Sequence, residues 1–453
     1  MYDIEIIGAR IVTSSAEFTG CISIEDGKIA AISEKPLRNS KQTIDASGLH
    51  ALPGMVEQHV HFMDPGENDR EDFIHGSSAA ATAGVTTVIE HTHSHPVRTV
   101  DDLLEKRSYL KNRSLIDFGL GAHVWPGYFD ELTGLWENGI SFFKAFTCTT
   151  HGIPGLRNSD IFEAFQKISS AGGVVLAHCE DESMTERNEH NLKLMERMDG
   201  HVIQEWRSKE AEEVAVSDVV LLAKLTGAKV TIAHVSHPFV VDIVHRGREM
   251  GADVMAEVCP QYMFLDEYQI QDRGPFGKFT PPARSAPEAK RMMELLASGS
   301  IDILSSDHAP STRHHKLEGN IWSCHFGLPG VETTLPLMLT AVNRGEISLQ
   351  TVVKAYSETP ARRLGLFPRK GSLRVGADAD IVLVDLTKKW TISDDNVVSK
   401  AGWSPYSGME CTGKPETTMV RGQIVVQGGK VVAEPGTGRY VSSVISDNPH
   451  SRV

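Results

Sequence analysis

Cysteine is scarce: six residues in 453, at positions 21, 148, 179, 259, 324 and 411, with no C-x-x-C pair among them. That usage gives no support to a disulfide framework or to a structural zinc site. Long hydrophobic runs are missing too; none approaches the ~18 apolar residues of a membrane-spanning helix. The N-terminus, Met-Tyr-Asp-Ile-Glu-Ile-Ile, lacks the basic and apolar regions of a secretory signal, so the cytoplasm is the expected compartment. Positive charge is in deficit, 45 Lys and Arg against 59 Asp and Glu, for a net charge of -14. Neither a nucleic-acid partner nor an anionic membrane surface is suggested by that balance. Glycine-rich dinucleotide or phosphate-binding fingerprints are absent, as are low-complexity segments and short internal repeats.

What remains is the composition of a soluble globular protein, 40% hydrophobic and 23% charged, long enough for one large barrel or two to three ordinary domains. Histidine is the conspicuous excess at 20 residues, and it is dispersed rather than gathered in a tract. Both ends of the chain are rich in strand signals. Cys21-Ile-Ser-Ile-Glu-Asp-Gly-Lys-Ile alternates around Asp26-Gly27, a hairpin turn. Asp380-Ile-Val-Leu-Val-Asp-Leu reads as a strand, and the stretch from Thr418 to Val432 holds a further hairpin. Neither end alone buries enough surface, so the two are expected to meet as one small β-sandwich, residues 1–52 plus 366–453.

Between them, residues 53–365 alternate strand and helix. Apolar strand candidates lie at roughly 55–60, 86–90, 116–122, 140–146, 174–178, 229–234, 253–258 and 301–306, with helical patterns such as Val100–Lys111 and Glu210–Leu225 between. Eight βα units favour an α/β architecture of the (β/α)₈ barrel type over an open doubly wound sheet. In such a barrel active residues stand at the C-terminal strand ends, and those ends are populated. The first carries His59-Val60-His61, two imidazoles on one face of an extended strand, suited to one metal ion. The fourth carries Lys144 inside an apolar run, the fifth His178, the sixth His234 and the eighth Asp307. A single buried histidine is more often bonded to backbone than to metal; six such residues at one rim are harder to explain that way.

Lys144 has two readings. A protonated amine would repel a metal and is costly to bury. A neutral one can add carbon dioxide, and the resulting N6-carboxylysine is an anion with two oxygens that can bridge two cations. Asp307, the carbamate and a shared hydroxide would then balance most of the charge of two divalent ions. Alternatively Lys144 is a structural lysine paired to a carboxylate such as Glu180.

The sequence resembles the cyclic amidohydrolases of the amidohydrolase superfamily: hydantoinases, dihydropyrimidinases, allantoinases and dihydroorotases. The matching pieces are Pro53-Gly-Met-Val-Glu-Gln-His-Val-His, Asp64-Pro-Gly, Phe143-Lys-Ala-Phe, Ala177-His-Cys-Glu, Ala233-His-Val-Ser, Cys259-Pro-Gln-Tyr, Thr280-Pro-Pro-Ala-Arg, Ser306-Asp-His-Ala-Pro, Gly376-Ala-Asp-Ala-Asp and Trp403-Ser-Pro-Tyr-Ser-Gly-Met. They extend over nearly the whole chain. The resemblance implies two zinc ions, one held by His59, His61 and Asp307, the other by His178 and His234, with carbamylated Lys144 bridging both. It implies hydrolytic opening of a cyclic amide to an N-carbamoyl acid by a metal-bridging hydroxide, with Asp307 as general base. Relatives are commonly dimers or tetramers, so a homodimer or homotetramer is implied as well.

Departures from the subfamily patterns bear on the substrate. Dihydroorotases place an arginine two residues past the His-x-His to read a carboxylate; here Met63 stands there, which disfavours an anionic substrate. Dihydropyrimidinases carry a tyrosine five residues past the lysine as an oxyanion donor; here it is Thr149. The family also binds the ring imide near Thr280 and Phe326. His91-Thr-His-Ser-His95 is expected to be a solvated loop or pocket wall rather than a metal site. His151 is expected to face substrate and His314-His315 the surface, while His308 either orients substrate or caps its loop. A second class shares the fold, the dihydropyrimidinase-related scaffolds that lose the ligands; all six positions are intact here.

Overall fold

The computed structural model describes residues 1–444. Its first five strands are β1 (Tyr2–Val12), β2 (Glu17–Glu25), β3 (Lys28–Ser33), β4 (Ser40–Asp45) and β5 (His50–Pro53). The eight strands that follow are β6 (Met55–Val60), β7 (Val85–Glu90), β8 (Asp117–His123), β9 (Phe142–Phe146), β10 (Val174–His178), β11 (Lys229–Ile232), β12 (Val254–Val258) and β13 (Ile303–Leu304). Then come β14 (Ile381–Thr391), β15 (Glu410–Val420), β16 (Gln423–Gln427) and β17 (Lys430–Val431).

Strands β6 to β13 pair in sequence order, all parallel, in one eight-stranded sheet. Every residue of β6, β7 and β8 is buried, polar ones such as Glu57, Thr87, Glu90 and Asp117 included, so these strands show no alternation of buried and exposed positions. The last strand is short, and the sheet is closed by the backbone beyond it: a parallel bridge joins Val60 to His308, and the His61 amide donates to the His308 carbonyl at 2.8 Å. Glu57 reinforces that seam, its carboxylate accepting from the amides of His59 and Ser306 (both 2.9 Å) and the hydroxyl of Tyr356 (2.8 Å). The crossover helices carry local stop and start signals. Val100–Leu110 opens on a Thr99/Asp102 capping box, and Asn158–Ala171 and Lys209–Thr226 end on the left-handed glycines Gly172 and Gly227.

The remaining strands form a nine-stranded sheet in the order β17-β16-β15-β14-β5-β1-β2-β3, with β4 on β1. The two ends of the chain therefore do meet. Ile6, Ile22 and Ile24 from the first segment share a core cluster with Ile381, Leu383 and Met419 from the last. Its hairpins turn where expected, at Asp26-Gly27 and at Arg421-Gly422, all four residues having positive φ. Of the expected 366–453 segment, residues 445–453 lie outside the described residues. Gly54 is the hinge between the two sheets, and a Cβ there would sit 2.1 Å from the Thr86 hydroxyl, so only glycine permits this approach. All six cysteines are free and buried. Among the described residues no helix is long and apolar enough to cross a membrane.

Candidate active site

The C-terminal rim of the parallel sheet holds a cavity of about 200 Å³, and His59, His61, Lys144, His178, His234 and Asp307 all line it. Six residues separated by up to 248 positions in sequence are thus brought together by the barrel alone. His59 and His61 leave the end of β6, and their Nε2 atoms lie 3.2 and 3.4 Å from Asp307 Oδ1. His178 and His234 face each other across β10 and the end of β11, with Nδ1 and Nε2 3.0 Å apart. Lys144, at the centre of β9, reaches to 3.2 Å from His59 Nε2. His234 (φ 37°) and Asp307 (φ 49°) are both left-handed. A non-glycine residue held there costs roughly 1–3 kcal/mol and persists only where the surroundings impose it, which is common at functional positions.

Buried carboxylates orient the imidazoles. Glu257 in β12 bonds His59 Nδ1 at 2.6 Å with one oxygen and also accepts there from the His234 amide, while Gln58 donates to the other. His61 Nδ1 donates to the His91 carbonyl at 3.0 Å, so in both histidines Nε2 faces the cavity, toward Asp307. Glu180 accepts from His178 Nε2 (2.7 Å), Arg207 Nη1 (3.3 Å) and the Thr280 hydroxyl (2.7 Å). It is therefore not the partner of Lys144, which forms no ion pair with a carboxylate among the described residues.

The electrostatics follow from burial. Desolvation, aided by the Lys144 charge, holds His59 and His61 far below the ordinary imidazole range, so both are neutral. Burial pushes Lys144 down to about 8 against the pull of Asp307 and Glu257, and it raises Asp307 to about 7 against the pull of Lys144. Burial also acts to raise Glu180, but the Arg207 guanidinium and the bonds from His178 and Thr280 outweigh it and leave its pKa at about 2. Neutral imidazoles with fixed tautomers, a carboxylate and a readily deprotonated amine are a donor set that divalent metals accept. Among the groups of candidate ligand atoms that lie within 4.8 Å of one another, three include residues of this cluster: His59, His61 and His91; His59, His234 and Asp307; and Cys148, His178 and Glu180.

The other expected site residues divide. Thr280 and Phe326 line the cavity. Thr149 does not. It is exposed, its amide donates to Glu182, and its hydroxyl accepts from the Gly155 amide at 3.1 Å. The β9 loop turns at this point and carries His151 to the cavity instead. The loop after β7 is not solvated as a whole. His91 is buried, packing edge-on to His61 at 4.3 Å, and His93 forms part of the cavity wall, while His95 is exposed. His308 caps the closing loop, its Nδ1 accepting from the amides of Gly330 and Val331. His314 is exposed and His315 is partly covered, bonded to Asp69 and Thr312. Sequence reasoning passed over Glu257, Arg70 and Glu67. Only Glu257 carried a signal, as a charge inside a buried strand.

A closed parallel barrel whose rim gathers these side chains defines the class, a (β/α)₈-barrel enzyme with a site built of metal-ligand residue types. The chain belongs to the amidohydrolase family, whose sequence profile matches residues 50–425. It is 34% identical over 452 residues to an L-hydantoinase of Paenarthrobacter aurescens, covering 98% of each chain. It is 32% identical over 455 residues to a dihydroorotase of Methanosarcina mazei, covering 97% of this chain and 98% of that one. Relatives named allantoinase also match over nearly the whole chain. The solved structure of L-hydantoinase (dihydropyrimidinase) from Arthrobacter aurescens superposes with a TM-score of 0.94 at 34% identity, covering 98% of this chain and 100% of that one. The superposition takes in both the parallel barrel and the sheet built from the two ends of this chain, the architecture expected from the sequence.

Proposed function

We propose that this protein is a metal-dependent hydrolase that opens the ring of a cyclic ureide of the hydantoin, allantoin or dihydropyrimidine type to an N-carbamoyl acid. The observation that carries the reading is the convergence of four imidazoles, Lys144 and Asp307 on one cavity, in a chain whose relatives over nearly its full length are named for cyclic-amide substrates. His59, His61 and Asp307 would hold one divalent ion and His178 and His234 a second, zinc being the ion this nitrogen-rich donor set suits. When bound, such a pair supplies Lewis acidity, which makes water nucleophilic near neutral pH and polarises a ring carbonyl.

The chain's own residues do the rest. The Lys144 amine, shifted toward neutrality by burial, adds carbon dioxide with loss of a proton, giving an anionic carbamate between the two histidine pairs. Asp307 takes the proton of the attacking water and passes it to the ring nitrogen as the carbon–nitrogen bond breaks, so the departing group leaves as a neutral amine or amide. Glu257 holds His59 in one tautomer and fixes the His234 backbone, and Glu180 does the same for the His178 ring. Backbone around Thr280 and Phe326 would bind the ring imide. The dihydroorotase reading is disfavoured by Met63, which lines the cavity where those relatives have arginine. The scaffold reading is disfavoured by the intact ligand set.

The test is hydrolysis by metal-supplemented protein of hydantoin, allantoin, dihydrouracil and dihydroorotate. Chelator-sensitive opening of at least one neutral ring supports the proposal; opening of none by folded, metal-loaded protein refutes it.

A further inference from the structure

Two buried histidines near the ligand cluster have no role so far. His91, directly after β7, and His123, the last residue of β8, are as buried as His59. Neither ring nitrogen of either has a hydrogen-bond partner among the described residues. Buried polar atoms are normally satisfied, so such a ring marks a place where a partner belongs. A neutral imidazole keeps a lone pair on one nitrogen, and a metal ion is one partner it can take.

The two rings differ in what faces them. His123 stacks on Phe146, with ring centres 6.1 Å apart, and joins no group of converging ligand atoms among the described residues. His91 does join one. A nitrogen of its ring lies within 4.8 Å of a ligand atom of His59 and of one of His61. Its ring centre is 4.8 Å from that of His59 and 4.3 Å from that of His61, and those two are 5.4 Å apart. Imidazoles on neighbouring positions of one ion, with bonds of about 2.1 Å, have ring centres roughly 4–5.5 Å apart. Packed aromatic rings also stand at such distances. The bare nitrogens decide between the two, because packing alone leaves both of them without a partner and an ion takes one. The same residue already serves this pair through its backbone, since the His91 carbonyl accepts from His61 Nδ1.

We infer that His91 is a third imidazole ligand of the ion held by His59, His61 and Asp307. This rests on the metal-dependent reading above and adds to it a ligand from the end of β7. Three imidazoles and a carboxylate are donors enough for one divalent ion. That site should therefore fill first and without bicarbonate, and the Lys144 carbamate is needed only for the second ion.

The experiment has two arms. In the first, zinc affinity is measured by chelator competition for Lys144→Ala and for Lys144→Ala/His91→Phe. The phenyl ring keeps the edge-on packing against Phe142 and offers no ligand atom. The single variant is expected to hold one zinc ion per chain. The added His91→Phe should weaken that ion about 100-fold or more, at least the loss that follows when a hydrogen-bond partner of a ligand is removed. The second arm needs no substitution and decides the matter if the double variant fails to fold. A crystal structure of zinc-loaded wild-type protein should place a His91 nitrogen about 2.0–2.1 Å from the ion. Equal zinc affinity of the two variants overturns the assignment. So does an ion on His59, His61 and Asp307 with both His91 nitrogens beyond about 3 Å. His91 bonded to zinc in a protein that opens none of the rings supports the assignment and overturns the ring-opening reading. Folded wild-type protein that takes up no zinc at this cavity overturns both.

Discussion

Lys144→Ala separates a bridging lysine from a structural one, and the structure sets the size of each effect. The Lys144 amine is buried, 3.2 Å from the His59 ring, and among the described residues no carboxylate pairs with it. Its pKa falls from 10.5 to about 8, which corresponds to ~3 kcal/mol of unfavourable burial. Because the folded value lies below the unfolded one, that cost is present in full below about pH 8 and vanishes above about pH 10.5. Removing the side chain relieves it at neutral pH but leaves a cavity worth ~2–4 kcal/mol. The two nearly cancel, so metal-free Lys144→Ala should unfold within ~1–2 kcal/mol of wild type. Metal changes the comparison. Without a carbamate between the histidine pairs, two-metal occupancy should collapse, and the hydrolysis rate should fall about a thousandfold or more, ~4 kcal/mol of lost transition-state stabilisation. A short carboxylic acid in solution should partly restore both. The assay is metal content, unfolding with and without added zinc, and ring-opening rate, each with and without acetate or propionate. A mutant that keeps two metals and a near-normal rate would refute the bridging role. A metal-free mutant destabilised by ~5 kcal/mol would show that Lys144 makes a structural contribution this geometry does not contain.

Three further outcomes follow from particular contacts. Glu257→Gln weakens the bond to His59 Nδ1 and the anchor of the His234 amide, so metal affinity should drop about 10–100-fold with the fold retained, as read by competitive metal titration. Tyr356→Phe removes one of three donors to the buried Glu57 carboxylate at the barrel seam, and denaturant unfolding should show a loss of ~1–3 kcal/mol. Dihydroorotate should be a poorer substrate by kcat/KM than a neutral hydantoin or allantoin, because Met63 supplies no charge and Arg70 is already engaged by Glu67.

Much of this was legible in the sequence because buried parallel strands are written as apolar runs. Seven of the eight were placed close to their observed bounds, and the ligand-type residues stood at or beside the ends of those segments, except Lys144, which sits at the centre of β9. The eighth is the instructive miss. A strand expected over 301–306 is reduced to Ile303–Leu304, because the residues that follow bend away to close the barrel onto Val60 and to hold Asp307 in a left-handed conformation. Loop residues were less legible, since no periodicity fixes where a loop points. Thr149 follows Lys144 by the family's spacing, yet its side chain bonds within its own loop and His151 reaches the cavity instead. Arg70 lies nine residues past His61 in a loop of mixed polarity, and only its fold-dependent bonds to Ser311 and Pro310 reveal that it faces inward. Glu257 could have been found: a carboxylate inside the buried run Val254–Val258 is costly unless it has a dedicated partner, and here the partner is His59.

The most direct test of the account is one titration. Protein stripped of metal by chelator and dialysed is mixed with hydantoin, allantoin and dihydrouracil, and formation of the N-carbamoyl product is followed by NMR while zinc is added in the presence of bicarbonate. The account predicts no opening at zero metal, and activity that rises with zinc and levels off at about two ions per chain. Opening that proceeds equally well without metal, or a folded protein that binds two zinc ions and opens none of the rings, would contradict it.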